Sequence, residues 1–379
     1  MKKVKFTLLG NVISGGIKTN NNFLITRDFI SGSVLRAAFA WSILYDCPYA
    51  EEVYNGKKYF VAYRGEKCAG CKNIEKCKNF SNMKFSDLYP ENTVPAPFTL
   101  RECKAYGTEH HIMDTIAENG RLECKDCKGR METVKGYINP DTEKSVRVLK
   151  NTSVHTAIDE YTHTALDGSL FSIESIAKGQ IFEGYVDDCG SGLLELDEVI
   201  FCGKYSSNGY GKMKITSITD VNKSDCGKAV DQFNNKFGTI LKKEYGDKLF
   251  AAVLFLSDAK LGLEELTDST PSSSEDYRKE WEKRIFGDSG KVRLEKIYAQ
   301  NYIYSGYDTS RTDNDYERKK SACILTEKGT SVLISFDKSD KEEVIGYLDR
   351  LCDNGIGKET EIGYGRIDVC NKLHTLGVK

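Results

Sequence analysis

Apolar and polar residues alternate from the start of the chain. Val4, Phe6 and Leu8 fall two apart among lysines and a threonine, the period of a half-buried strand. The run is too short and too charged to read as the apolar stretch of a signal peptide. It leads through Ser14-Gly15-Gly16 and Arg27-Asp28-Phe29 to Ile30-Ser31-Gly32-Ser33, where Ser31 or Ser33 is placed to cap a helix. Val34, Ala38, Trp41 and Tyr45 then recur at helical spacing and are expected on its buried face.

From Cys47 to about residue 150 the periodicity is poor, and cysteines, lysines and short polar runs dominate. This predicts an insertion pinned by metal rather than by a core of its own. Alternation returns over residues 151–187, where Leu166-Asp167-Gly168-Ser169 reads as the tight turn of a hairpin and residues 180–186 as a further strand. Farther on, strands are expected over residues 249–256, 292–304 and 322–336. A helix is expected over 341–351, with Val344, Leu348 and Leu351 on one face. Residues 266–290 read as a polar loop leading into a charged, solvated helix.

One motif repeats. Gly209-Tyr210-Gly211-Lys212 feeds the strand Met213-Lys214-Ile215, and Gly363-Tyr364-Gly365-Arg366 feeds Ile367-Asp368-Val369. A repeat entering a terminal strand each time argues for two related domains. The expected organisation is an N-terminal domain over 1–217, holding a cysteine-rich insertion at 46–150 and a hairpin region at 151–187. A linker follows over 218–245, then a C-terminal domain over 246–379. Strands and helices mixed in this way predict an α+β class of two ferredoxin-like sandwiches.

Composition narrows this picture. At 379 residues the chain can bury two cores, and 40% apolar residues with only six prolines exclude a disordered chain. No stretch approaches the roughly 20 apolar residues of a membrane span, so a cytoplasmic protein without a membrane partner is expected. The formal net charge is −2, so any nucleic-acid site must be a local basic face.

Of thirteen cysteines, six crowd between Cys68 and Cys127, which in a cytosolic chain points to metal instead of disulfides. Thiolates three residues apart can both face an ion about 2.3 Å away while the intervening pair turns the backbone. The candidate ligands are Cys68, Cys71, Cys77, Cys103, Cys124 and Cys127. Either both Cys-x-x-Cys pairs share one zinc, or two sites form: one from Cys47, Cys68, Cys71 and Cys77, the other from Cys103, His110 or His111, Cys124 and Cys127. An iron–sulfur cluster and buried free thiols are the alternatives. A closed four-ligand zinc leaves no open position for water, so its expected contribution is to folding.

In the Gly-Tyr-Gly loops, glycine lets backbone N–H groups approach phosphate, tyrosine offers a stacking face and the following cation adds charge. A plain glycine turn between strands is the competing explanation. His155, His163, His110 and His111 are the candidates for metal-independent acid–base cleavage of RNA, although lone histidines in strands usually serve packing.

Taken together, Ile30-Ser31-Gly32-Ser33-Val34-Leu35-Arg36-Ala37-Ala38, the stretch His155-Thr156-Ala157-Ile158-Asp159 through Thr164-Ala165, Gly168-Ser169-Leu170-Phe171 with Glu174, and the two Gly-Tyr-Gly loops resemble the RAMP superfamily of CRISPR proteins. Within it the pattern is most similar to the Csx-ten family of type III-D effectors, which plays the Cas-five role of capping the 5′ end of the guide. The resemblance covers about residues 1–215 and the last 30. It implies a non-catalytic subunit that binds the 5′ repeat-derived handle of the crRNA in antiviral defence, with the hairpin acting as a thumb. The implied partners are the crRNA, Cas-seven-type backbone subunits, and a large polymerase-like subunit or a separate nuclease of the effector, with target RNA met indirectly. The implied RNA contacts are Arg36, His155, Thr156 and Asp159, then Lys204, Tyr205, Ser206, Asn208, Gly209, Tyr210, Gly211 and Lys212, and finally Gly363, Tyr364, Gly365 and Arg366. The alternative within the superfamily is an endoribonuclease that matures the guide or slices target RNA. Against slicing, Lys18-Thr19-Asn20-Asn21-Asn22-Phe23 carries asparagines where the cutting subunits carry an aspartate, leaving Asp28 as the one acid nearby.

Overall fold

The computed structural model describes the chain except for residues 16, 20–21, 54–57, 118–122, 223–224, 265–272, 288–289, 307–319 and 377–379. Gly16, Asn20, Asn21 and most of the polar loop expected before residue 273 therefore lie outside the described residues.

The opening alternation forms the strand Lys2–Leu8, which buries Val4, Phe6 and Leu8. It lies between Ile181–Asp187 and Lys212–Asp220, both antiparallel. Lys84–Phe85 and Tyr89–Pro90 pair with the far edge of Ile181–Asp187, and Val199–Phe201 extends the other side. Helix α1 (Gly32–Tyr45) covers this sheet with Leu35, Ala38, Phe39 and Ile43, and the short α2 (Ile74–Asn79) lies beyond it. Trp41 and Tyr45, expected on the buried face, are 52% and 82% exposed. Two stripes at helical spacing overlap in this helix, and the purely aliphatic and phenylalanine stripe takes the core because it buries no polar atom.

The second sheet runs Val292–Tyr298, Ser331–Phe336, Leu249–Phe255, Ile367–Val369, again antiparallel throughout. Ranked by chain order the second sheet is arranged 4-1-3-2, and the first shows the same order over Lys212–Asp220, Lys2–Leu8, Ile181–Asp187 and Lys84–Phe85, with Val199–Phe201 added outside Lys212–Asp220. The result is a mixed α/β architecture of several sheets and few helices.

Most of the stretch expected as a linker, 218–245, is instead α3 (Cys226–Tyr245). Val230, Phe233, Phe237 and Leu241 form an amphipathic stripe that packs on the second sheet, and Asp225 caps the helix by accepting the Lys228 N–H. α4 (Ser274–Phe286) begins where the Ser273 hydroxyl accepts the Asp276 N–H. It is not fully solvated as expected, since Trp281, Ile285 and Phe286 are buried beneath its charged face. α5 (Lys341–Asn354) buries Val344 and Leu348 with Leu351 packed alongside, as the periodicity predicts. The strands expected over 292–304 and 322–336 each divide, with Asn301–Tyr304 and Cys323–Thr326 forming a separate hairpin.

The cysteine-rich insertion does have a small core: Leu100, Ile112, Val134 and Ile138 pack with Leu373 from the C-terminal tail. The tail is pinned by a buried pair, His374 Nδ1 to Asp114 Oδ2 at 3.1 Å, and Thr99 donates to the same oxygen at 2.6 Å. Ile116 and Ala117 join the core of the second sheet, so the insertion belongs to the first half in sequence but packs on the second.

A long hairpin, Lys150–Ile158 with Ala165–Ile176, projects from the first half. Its reversal lies at residues 159–164, not at Leu166-Asp167-Gly168-Ser169. Asp159 organises the turn by accepting the backbone N–H groups of Tyr161 and Thr162. The Gly168 signal marks a break in register between Thr156 and Ile158, where a left-handed glycine (φ 70°) lets the strand bulge.

The two Gly-Tyr-Gly loops share a backbone. Each starts from a left-handed residue, Tyr205 or Glu359 (φ 59° for both), passes through a one-turn 3-10 helix, and ends on two left-handed glycines. A Cβ at Gly211 would meet the Cys202 carbonyl and one at Gly365 the Ile356 carbonyl, whereas Gly209 has open space. Gly365→Ala is therefore expected to cost about 3 kcal/mol, combining left-handed strain with overpacking, and Gly209→Ala only about 1 kcal/mol. Denaturant melts of the two variants check this, and equal losses would contradict it.

Candidate nucleic-acid interface and metal centre

Strand register brings the hairpin motifs and the first Gly-Tyr-Gly loop to one surface. His155 pairs directly across from Phe171, with the rings stacked 5.3 Å apart at 18°. His155 Nε2 lies 2.9 Å from the Ser153 hydroxyl. From the first Gly-Tyr-Gly loop, the Tyr210 hydroxyl reaches Ser153 Oγ at 3.0 Å and His155 Nε2 at 3.4 Å. The loop is anchored by backbone bonds, Gly211 N to Asn11 O at 2.7 Å and Lys204 N to Ile13 O at 3.1 Å.

That anchoring leaves Lys204, Tyr205, Ser206, Asn208, Gly209 and Lys212 exposed. Beside them opens a groove of about 760 Å³ lined by Phe23, Leu170, Phe171, Lys204 and Tyr205. Aromatic faces next to a lysine and the Ser169 and Ser172 side chains suit unstacked bases and phosphate. Thr156 is exposed on the hairpin, while Asp159 is occupied by its turn: the Thr162 N–H and hydroxyl and the Tyr161 N–H hold its carboxyl below the usual range. Ser153 and Phe23 belong to this surface but have no signal in the sequence; only the cross-strand register places them.

The second Gly-Tyr-Gly loop is not brought to this surface. It is wedged between the halves, with Gly363 against Phe85 and Asp87 of the first. The Arg366 guanidinium sits 3.4 Å over the Tyr185 ring, and burial pushes its pKa down. Lys260 lies 4.7 Å over the Tyr364 ring, and burial, then Tyr304, pushes the Tyr364 phenol up. Arg36 likewise packs inward, 4.8 Å over Phe80 and donating to the Met83 carbonyl at 3.2 Å. In this structure the side chains of Arg36, Tyr364 and Arg366 thus make contacts within the protein.

Asp87 is buried at the same junction, accepting the Gly32 N–H at 2.8 Å and the Tyr89 hydroxyl at 3.1 Å. Burial first, then the Asp258 carboxylate, raises it from 3.8 to about 6. Between those values the folded chain holds a proton that the unfolded chain has lost, so this contribution to stability falls as pH rises through the window and is gone above it. Asp87→Asn is expected to match the wild type below pH 4 and to be more stable by ~1–3 kcal/mol at pH 7. Paired melts across pH 4–7 check the divergence, and parallel curves would contradict it. Asp28, the candidate cutting acid, accepts the Tyr137 hydroxyl at 3.0 Å in a cleft shared with Lys135 and Lys328.

The ligand atoms of Cys103, His110, Cys124 and Cys127 all lie within 4.8 Å of one another. Three sulfurs and one imidazole suit a tetrahedral ion such as zinc, which these residues could hold. His110 Nδ1 faces Cys124 Sγ at 3.4 Å, whereas the His111 backbone N–H binds Asp126, which decides between the two histidines. The Tyr106 ring stacks on His110 at 4.2 Å and fixes its plane. Burial raises the Cys103 thiol, but the Ala105 and Tyr106 N–H groups outweigh it and bring the thiol below its usual value. Burial likewise raises Cys124, and the Cys127 N–H, His110 and the Asp126 N–H outweigh it. Donors aimed at sulfur in this way favour thiolate. Cys68 and Cys71 are not part of this group, which overturns the assignment of both Cys-x-x-Cys pairs to one ion. They lie instead near Cys77, which burial and then the Cys71, Cys47 and Cys68 thiols push up to about 11.

No family model matches the chain, and no curated protein matches it. Among solved structures it is similar to a chain in the cryo-EM structure of the Type III-B Cmr-beta bound to cognate target RNA and AMPPnP, state 1. The identity is 11% and the TM-score 0.45, over 98% of this chain and 99% of that one. A chain in the cryo-EM structure of the Type III-B Cmr-beta bound to cognate target RNA is similar at 12% identity and a TM-score of 0.41, over 96% and 95%. Among the described residues, no helix is long and apolar enough to cross a membrane.

Proposed function

We propose that this chain holds the 5′ handle of a guide RNA within a CRISPR effector complex and does not itself cut RNA. The observation that carries this reading is the bond from Tyr210 to Ser153, with His155 beside it. Through it the His155 stretch, the Gly-Ser-Leu-Phe segment and the first Gly-Tyr-Gly loop, which carry the resemblance to the RAMP superfamily, share one surface. The 4-1-3-2 strand order supports two ferredoxin-like RAMP domains within residues 1–217 and 246–379: the second half follows a βαββαβ chain path, and the first follows it with a short strand and a 3-10 turn in place of the second helix.

In this role Lys204 and Lys212 meet phosphates, Tyr205 stacks on a base, and the hairpin works as a thumb that parts one base from the next. Two of the groups a nuclease would need are engaged otherwise. His155 is stacked and hydrogen-bonded within the hairpin, and Asp28 is held by Tyr137. Backbone subunits of the Cas-seven type and a large polymerase-like or nuclease subunit are the partners this role requires. Guide RNA carrying 4-thiouridine in its handle tests the placement. Crosslinks are expected within 153–171 and 204–212, and crosslinks confined to the second half would overturn it.

A further inference from the structure

We infer that Cys47, Cys68, Cys71 and Cys77 form a second, independent zinc site of four thiolates. At the first centre, backbone N–H groups two residues beyond each cysteine point at its sulfur: Ala105 for Cys103, Asp126 for Cys124 and Gly129 for Cys127. The same donor recurs away from that centre, where the Asn73 N–H points at Cys71 Sγ at 3.4 Å. The Arg64 N–H adds a second, to Cys68 Sγ at 3.3 Å. A neutral thiol is a weak acceptor, and two N–H groups aimed at sulfur serve a thiolate, the form that binds metal.

The backbone is folded to suit. Cys71 N bonds to Cys68 O at 3.0 Å with Gly70 left-handed between them, which closes the Cys-x-x-Cys turn. Cys77 sits on α2 with its N–H bonded to Asn73 O, and Cys47 closes the end of α1 by bonding to Leu44 O. Both of these sulfur-bearing residues pack against the first core, and Cys77 lies near enough to Cys71, Cys47 and Cys68 to feel their charge. None of the four is in a disulfide. The four sulfurs are not gathered as closely as those of the first centre, so an ion would draw them together, and four thiolates would leave it closed. The ion would tie α1 to α2 and the loop between them, a region whose short helix has no buried residue of its own.

The test is metal content together with thiol protection on the full chain. Two zinc ions per chain are expected in the wild type, falling to one in Cys71→Ser and to one in Cys124→Ser. In the wild type, Cys47, Cys68, Cys71 and Cys77 are expected to alkylate at least tenfold faster once a chelator is added. This second measurement does not depend on any variant folding. A single zinc per chain that Cys71→Ser leaves unchanged would overturn the inference, as would Cys68 and Cys71 alkylating at the same rate with and without chelator.

Discussion

Cys124→Ser is expected to lose the metal of the Cys103 centre and to unfold the module around it. Cys124 is fully buried and its sulfur faces three other ligands, so serine removes the bond and leaves a hydroxyl against thiolates and an imidazole. Structural zinc contributes about 10–16 kcal/mol of apparent binding free energy in small finger peptides. Here Leu100, Ile112, Val134 and Ile138 retain part of the module's own packing, so the loss should be smaller, on the order of 3–5 kcal/mol. The damage spreads because Ile116 and Ala117 are part of the second core and Asp114 pins the C-terminal tail. Thermal melts should show a drop on the order of 10 °C, reproduced by a chelator on the wild type. A wild-type melt that no chelator moves would contradict the assignment.

The triple variant Lys204→Ala, Tyr205→Ala, Lys212→Ala is expected to bind handle RNA at least ~100-fold more weakly with an unchanged melt. All three side chains are exposed, so their removal leaves the core intact. Base stacking on an aromatic side chain is worth about 1–3 kcal/mol, and each lost phosphate contact lowers the salt slope by about 0.7. Arg36→Ala should behave in the opposite way: its guanidinium lies over Phe80 and binds the Met83 carbonyl, so stability falls while the folded fraction keeps its affinity within about twofold. Salt-dependent binding curves and melts on the same preparations separate the two. An Arg36→Ala loss in affinity alone would show that the handle runs elsewhere.

The features legible in the sequence were those set by local pattern. Alternation at Val4, Phe6 and Leu8 and the repeated glycines each predict what the backbone does. Where the structure departs from these patterns, the deciding partner mostly lies elsewhere in the chain. Trp41 and Leu35 compete for one helix face, and only the sheet beneath selects Leu35. The Gly168 bulge has the same local signature as a turn, and the Asp159 carboxylate outcompetes it by capping the reversal six residues on from Ser153. Arg366 and Lys212 occupy equivalent positions after identical glycines, yet one is covered by Tyr185 and the other is open. No pattern within either loop distinguishes them. Cysteine spacing offers the Cys103 set as one of two assignments, and only the fold brings those four side chains together and aims His110, not His111, at Cys124.

The most direct test incubates the purified chain with 5′-labelled guide RNA carrying or lacking the handle, with and without divalent ions, and scores retention and integrity together. Retention that depends on the handle, with RNA of unchanged length in every lane, is expected of a subunit that holds the guide without cutting it. Specific cleavage, or equal retention of RNA without the handle, would contradict it.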